Sequence, residues 1–274
     1  RDVAPSRGLG DVYKRQANLH RYEAYLLEND CMRNTVSTYI RRLRCIYNKA
    51  VENGDAEYIP GLFQGVFTGV ESKRKKSLSL ENQHKLMTVK VESEVLRETQ
   101  LVVCLLFQYA GMSFVDFAHL KERNIKNGIL DYNRQKTGTP MRLEILDTAE
   151  LMRKELMGDK KPASGYLFPF LSGTKTGYEA YLEYNAALSR FNRNLKALKK
   201  AAGIASDVTS YTIRHSFAMA LKEQNVPIEM ISELLGHKSI KTTQIYLRSF
   251  SLEKMTEVNS TCFGCVYNYV SKVG

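Results

Sequence analysis

No stretch of about 18 consecutive apolar residues occurs in this chain, which excludes an ordinary membrane-spanning helix. The first residues also lack the charged-then-apolar pattern of a secretory signal. Cysteine is scarce and odd in number, with five: Cys31, Cys45, Cys104, Cys262 and Cys265. Three of them fall in expected helices, which argues against a disulfide framework and for a reducing cytoplasm. Cys262-Phe-Gly-Cys265 is a lone CxxC with no second pair or histidine couple nearby, so it reads as two small residues rather than a zinc site. There is no internal repeat and no low-complexity tract. Acidic groups are in deficit, with 29 Asp and Glu against 40 Lys and Arg, a formal charge of +11. Such a surplus points to a polyanionic partner, nucleic acid or a membrane surface.

What is present is ordinary for a globular protein, 43% apolar and 25% charged over 274 residues, long enough for about two domains. The first sixteen residues show no helical or strand period and read as a non-native leader. From Ala17 the pattern is helical, with Leu19, Tyr22, Leu26 and Leu27. A second helix is expected from Asn34 or Thr35, with Val36, Tyr39, Leu43, Ile46, Tyr47 and Ala50 as its apolar stripe and Gly54 as its stop. Arg41, Arg42 and Arg44 lie on its other face, suited to tracking phosphates. A short helical piece is expected near Glu57 to Val66. Residues 17–72 thus form a small helical domain.

The run Lys73-Arg74-Lys75-Lys76 has no apolar period and reads as a basic linker, 73–78, able to lie along a phosphate backbone. Ser79 caps a new helix, and Leu101 to Ala110 reads as buried helix. Between about 119 and 146 the period changes to two. Asn127-Gly128 signals a hairpin, Lys136-Thr-Gly-Thr-Pro140 a turn, and Met141, Leu143 and Ile145 an alternating strand, giving a three-stranded antiparallel meander. Helices return, with a stripe of Tyr184, Leu188, Phe191, Leu195 and Leu198 ending at Gly203. Three short helices follow: one capped by Ser210, one opened by Pro227 and ended by Gly236, one capped by Ser239 and carrying Tyr246. The fold class is therefore mainly α with a small antiparallel three-stranded sheet, a helical domain followed by a mixed α+β domain at 79–274 with a tail from about 250.

The last three helices place Arg214, His237 and Tyr246 at one surface. Breaking a phosphodiester needs a nucleophile, and a tyrosine oxygen serves once its proton leaves. Charge growing on the non-bridging oxygens calls for arginine. The departing oxygen needs an acid, for which a lysine on a turn is suited, and a histidine can donate to the phosphate or orient the nucleophile. Arg214, His237, Lys136 and Tyr246 supply these types.

Arg214-His-Ser-Phe-Ala, Leu-Gly-His237 and Thr-Thr-x-Ile-Tyr246 resemble the second conserved box of the tyrosine recombinases, the phage-integrase family. The resemblance runs over roughly 17–250 and includes Lys136-Thr-Gly and Tyr-Leu-Phe-Pro at 166–169. It implies a helical core-binding domain and a catalytic domain clamping duplex DNA, with a 3′-phosphotyrosyl intermediate and no cofactor or metal. It also implies a homotetramer on double-stranded attachment sites. The chain beyond the nucleophile, with Val258, Phe263, Val266, Tyr267 and Val270, would dock on a neighbouring protomer, and accessory DNA-bending proteins fit the same picture. Residence is expected in the bacterial cytoplasm with the nucleoid, and the role is integration or excision of a mobile element.

Two departures stand out. The family's first catalytic arginine falls at Ser113, in Gly-Met-Ser-Phe-Val-Asp116, a stretch that resembles integrases of conjugative transposons. The usual histidine three before Arg214 is Tyr211. Arg134 is the first candidate for the missing guanidinium and Arg142 the second. His215 is expected to pack, and Asp116 and Glu233 to partner Arg214 or lie on helix surfaces. The competing functions are a DNA-binding regulator that has lost catalysis, since Ile228 to Arg248 reads as a helix-turn-helix, and a topoisomerase-like relaxase.

Overall fold

The computed structural model describes residues 7–71, 77–161, 165–247, 255–256 and 259–261, without the side chains of 7–13, 245 and 246. The chain divides into two compact units, residues 1–73 and 74–274. No helix among the described residues is long and apolar enough to cross a membrane.

The first unit is built on α1 (Arg7–Glu28) and α2 (Arg33–Glu52). Its core is small: Leu19 and Leu26 of α1 meet Val36 and Ile40 of α2 beneath Leu62 and Val66. Two details differ from the sequence pattern here. Helix α1 begins at Arg7, ahead of the start expected at Ala17, and Gln16 ties it down by donating its Nε2 to the Gly61 carbonyl at 2.8 Å. The residues before Ala17 lack an apolar stripe but offer the helix no proline after Pro5, so it propagates backwards over them. On α2 the buried face is Val36, Ser37 and Ile40, while Tyr39, Leu43 and Ile46 are exposed, the last at 65%. The apolar stripe lies a quarter-turn off the true core face because the core is too small to cover both.

The expected helix at 57–66 is instead a strap of turns. Gly61 and Gly65 take positive φ (68° and 86°), which a continuing helix cannot absorb. The strap is fastened by side chains of α2. The Tyr47 hydroxyl donates to the Glu57 carbonyl (2.9 Å) and accepts from the Ile59 amide (2.7 Å). Ser37 donates to the Gly69 carbonyl, and Asn34 makes a two-way bond to the backbone of Glu71.

In the second unit α3 (Leu80–Thr88) is capped by Ser79, whose Oγ accepts from the Asn82 amide. Helix α4 (Glu94–Gln108) is the spine. Leu101, Val102, Val103, Leu105 and Leu106 are all buried, as befits a helix packed on several sides. The chain leaves α4 through two left-handed residues, Ala110 and Gly111, and a Cβ on Gly111 would stand 2.8 Å from the Phe217 ring. Next come α5 (Phe114–Ala118), a single 3₁₀ turn (Glu122–Asn124), and strands β1 (Ile125–Lys126), β2 (Ile129–Asn133) and β3 (Pro140–Glu144).

The strands form the expected antiparallel meander in the order β1-β2-β3, with Leu130 opposite Leu143 and Tyr132 opposite Met141. Asn127 and Gly128 both have positive φ, the signature of a twist-matched two-residue hairpin turn. Helices α6 (Asp147–Met157) and α7 (Gly177–Ala201) close over α4. Phe114 of α5 stacks on Phe191 of α7 at 4.7 Å between centroids, and Phe117 stacks on Phe168 at 4.1 Å. The chain ends its described core with α8 (Ser210–Glu223), α9 (Ile228–Leu234) and α10 (Ile240–Tyr246). Helix α8 is capped by Thr209, not Ser210: the Thr209 and Thr212 hydroxyls and amides satisfy one another in a capping box. Ser210 is the first helical residue, its amide donating to Asn192 Oδ1 at 2.9 Å. Fold class and sheet agree with the sequence pattern.

Candidate active site

Arg214 lies on the inner face of α8, only 4% exposed. Its Nη1 donates to the Gly111 carbonyl at 2.7 Å and its Nη2 to the Leu235 carbonyl. Arg134 follows strand β2 directly and is 8% exposed, an unusual depth for a charged group. Its Nη1 donates to the next carbonyl along, that of Gly236, at 3.0 Å, and its Nε faces Asp116 Oδ2 at 3.5 Å. Two guanidiniums from distant parts of the chain therefore grip consecutive peptide carbonyls, those immediately ahead of His237. Gly236 is required for this approach. Its φ is +60°, and a Cβ there would press on the Met141 sulfur and stand 2.7 Å from Arg134 Cδ.

His237 is half-buried. Its amide donates to the Ser232 carbonyl at 2.9 Å, and its Nδ1 shares a 2.8 Å hydrogen bond with the Thr243 hydroxyl. Thr243 is fully buried on α10, one helical turn before Tyr246. The histidine is thus joined by a side-chain bond to the helix that ends in Tyr246. The Tyr246 side chain itself lies outside the described set, as do Lys73, Arg74, Lys75, Lys76, the CxxC pair and the apolar tail residues from Val258 onward.

Lys136 is exposed at the tip of the β2–β3 turn. The turn is closed by the Arg134 amide donating to the Thr139 carbonyl (2.9 Å) and the Gly138 amide donating to the Arg134 carbonyl (2.8 Å). The Thr137 and Thr139 hydroxyls pair across it at 2.8 Å. Lys136 is therefore carried next to Arg134 on a well-bonded loop.

The sequence pattern places Asp116 beside Arg214 or on a helix surface. It is 2% exposed, and its carboxylate serves Arg134, the Ser113 hydroxyl (2.5 Å to Oδ2) and the Gln135 amide (2.7 Å to Oδ1). Ser113 caps α5, so the motif Ser113-Phe-Val-Asp116 is a helix start whose Ser113 and Asp116 side chains meet at the site. The Tyr132 phenol lies close by. Burial pushes its pKa up, Asp116 adds to this, and Arg214 and Arg134 oppose it, leaving a neutral hydroxyl.

The second candidate for the missing guanidinium, Arg142, is exposed on β3 and lines a surface groove with Asp131, Met230 and Glu233. Tyr211 is 52% exposed, its ring 5.8 Å from that of His215, which is buried as expected. Arg41, Arg42 and Arg44 are exposed on α2. Among the described residues no group of three or more His, Cys, Asp and Glu gathers as a metal site would. Three contributors escape sequence reasoning: Asp116 as a shared anchor, Thr243 as the partner of His237, and Gly236 as a contact surface. Ser-x-x-Asp at 113–116 is the one available signal for the first, since it is a capping pattern.

A chain with this fold, and with two buried arginines converging on the turn before a histidine, has recognisable relatives. Residues 76–253 match the phage integrase family and residues 16–60 the phage integrase SAM-like domain. The chain belongs to the phage integrase family.

Among characterised relatives, tyrosine recombinase XerA of Pyrococcus furiosus is 32% identical over 177 residues, which is 63% of this chain and 57% of that protein. Tyrosine recombinase XerD of Lacticaseibacillus casei is 52% identical over 54 residues, 20% of this chain and 18% of its own length. The chain thus matches well under two thirds of these relatives. Among solved structures, the Tn1549 transposon integrase in complex with a circular intermediate DNA superposes with a TM-score of 0.66 at 14% identity, covering 89% of this chain and 85% of that one. A lambda integrase dimer bound to a COC′ core site gives 0.63 at 15%, covering 86% and 67%. At these identities the shared property is the fold.

Proposed function

We propose that this chain is a site-specific DNA recombinase that cuts and rejoins DNA through a 3′-phosphotyrosyl intermediate. One observation carries the reading: Arg214 and Arg134 converge on the Leu235–Gly236 peptide carbonyls, ahead of a histidine bonded to the helix that ends in Tyr246. In the reaction the Tyr246 oxygen forms a bond to the scissile phosphorus and gives up its proton. The bond from phosphorus to the 5′ oxygen breaks, and Lys136 hands that oxygen a proton. The two guanidiniums face the non-bridging oxygens, where negative charge grows. His237 donates to the same phosphate or steadies the nucleophile, with Thr243 holding its ring. Tyr211 borders the site at the position of the family's usual histidine. One phosphoester replaces another, so the exchange is near balance and reverses when a 5′ hydroxyl attacks the link.

In this reading Arg134, not Arg142, supplies the guanidinium absent at Ser113, because Arg134 is the one that is buried beside Arg214's anchor peptide. Residues 17–72 form the core-binding domain, 73–78 the basic linker and 79–274 the catalytic domain. Arg41, Arg42, Arg44 and the linker cations Lys73, Arg74, Lys75 and Lys76 track the duplex backbone. The partners are double-stranded attachment sites, with four copies assembling on two sites, the tail beyond 250 docking on a neighbour and DNA-bending proteins assisting. The role is integration or excision of a mobile element in a bacterial cytoplasm, a reading supported by the shared fold with the Tn1549 transposon integrase.

The test is a nicked duplex from which the 5′ product diffuses away, trapping any covalent protein–DNA link. The parent yields the adduct and Tyr246→Phe does not. Binding without adduct by the parent supports a DNA-binding regulator instead, and relaxation of supercoils without recombinant product supports a relaxase.

A further inference from the structure

Ser113 stands where the resemblance places an arginine, yet its hydroxyl points at a carboxylate. We infer that Ser113 and Asp116 form a positioning pair that holds Arg134 and the Lys136 turn in reacting geometry. This rests on the recombinase reading above.

Asp116 uses both oxygens. Oδ2 accepts the Ser113 hydroxyl at 2.5 Å and lies 3.5 Å from Arg134 Nε, while Oδ1 accepts the Gln135 amide at 2.7 Å. Gln135 sits between Arg134 and Lys136, so one carboxylate fixes the backbone joining the substitute cation to the lysine.

The pairing matters because of depth. The Arg134 side chain is 9% exposed and that of Asp116 1%. A buried guanidinium left without its counter-charge is costly, so removing Asp116 would turn Arg134 elsewhere. Arg134 Nε has no hydrogen-bond acceptor of its own and depends on Asp116 through charge alone. Charge through space does not dictate angle. The short Ser113 bond supplies what is missing, since a charge-assisted hydrogen bond fixes how the carboxylate is turned. Ser113 is itself rigid, capping α5 at its N-terminus, and α5 is locked by ring stacking on α7 and on Phe168. The line of constraint runs from a stacked helix, through a serine hydroxyl and an aspartate, to a guanidinium donating to Gly236. The serine acts through its neighbours and touches no substrate.

The experiment compares adduct formation by the parent, Ser113→Ala, Ser113→Thr and Asp116→Asn on two nicked duplexes. One carries an ordinary scissile phosphodiester, the other an uncharged methylphosphonate, which needs far less cationic stabilisation. Ser113→Ala and Asp116→Asn should slow the phosphodiester roughly 10- to 100-fold, as misplacing a reacting group does. Their DNA affinity should match the parent's, the methylphosphonate should be cut at close to the parent's rate, and Ser113→Thr should restore the phosphodiester rate. Should Asp116→Asn fail to fold, Ser113→Ala alone decides. Equal slowing on both duplexes, no slowing on the phosphodiester, or a methylphosphonate that the variants leave uncut overturns the inference. A parent that forms no adduct on the phosphodiester overturns the recombinase reading itself.

Discussion

Arg134 and Gly236 show how residues far apart in sequence depend on one another. The arginine reaches the Gly236 carbonyl only because no Cβ stands in the way, and the glycine's positive φ suits no other residue well. Gly236→Ala should therefore destabilise the protein by roughly 1–3 kcal/mol, through backbone strain plus crowding against Arg134 and Met141, read as a lowered urea midpoint. Arg134→Ala should keep DNA binding but lose about 10²- to 10³-fold in adduct formation, the usual scale for one missing oxyanion donor. Arg142→Ala should stay within a few-fold of the parent in the same assay. The sequence can nominate Arg134, because it lies beside Lys136 on a turn. It cannot reveal Asp116 as the arginine's anchor. That pairing depends on α5 packing against the β2–β3 turn, a tertiary arrangement with no periodic trace.

At the scale of elements, long periodic stretches are legible in the sequence and the small ones are not. Helix α4, the meander with its Asn127-Gly128 turn, and α7 ending ahead of Gly203 follow from apolar spacing and turn chemistry. The strap after α2 does not, because it is held by single side chains, Ser37, Asn34 and Tyr47, rather than by a stripe. The cap of α8 lies one residue from its expected place, since Thr209 and Ser210 are both good caps and only the Thr212 hydroxyl decides between them. Thr209→Ala should cost about 1 kcal/mol in chemical denaturation and Ser210→Ala only a few tenths.

Helices α4 and α6 are joined by the two-pronged Arg97–Glu155 pair at 2.7 and 2.9 Å. The hydrogen bonds to Arg97 hold the Glu155 carboxyl below its ordinary value, so the pair stabilises the fold above the unfolded carboxylate pKa. That contribution fades as pH falls through the lowered folded-state value. Both groups are about half exposed, and screening limits the effect to about 0.5 kcal/mol. Comparing Glu155→Gln with the parent should show a stability gap near pH 7 that closes in acid.

For the whole molecule, the excess of 11 positive charges and the exposed arginines of α2 set how it meets a polyanion. Counterion release makes such binding salt-dependent, and each phosphate that a variant no longer neutralises should lower the slope of log affinity against log salt by about 1. Replacing Arg41, Arg42 and Arg44 together should therefore flatten the slope measurably while leaving the thermal midpoint almost unchanged. The charge surplus is plain in the composition. Which cations lie on the exposed face of α2 depends on how the helix buries Val36, Ser37 and Ile40 rather than the more obvious stripe of Tyr39, Leu43 and Ile46.

If a tyrosine ending α10 attacks a phosphate held by Arg214 and Arg134, a nicked duplex should trap the link between them. The parent should then give a covalent protein–DNA band, Tyr246→Phe none, and Arg134→Ala a band that appears far more slowly. A band that persists in Tyr246→Phe, or one formed by Arg134→Ala at the parent's rate, would rule this chemistry out.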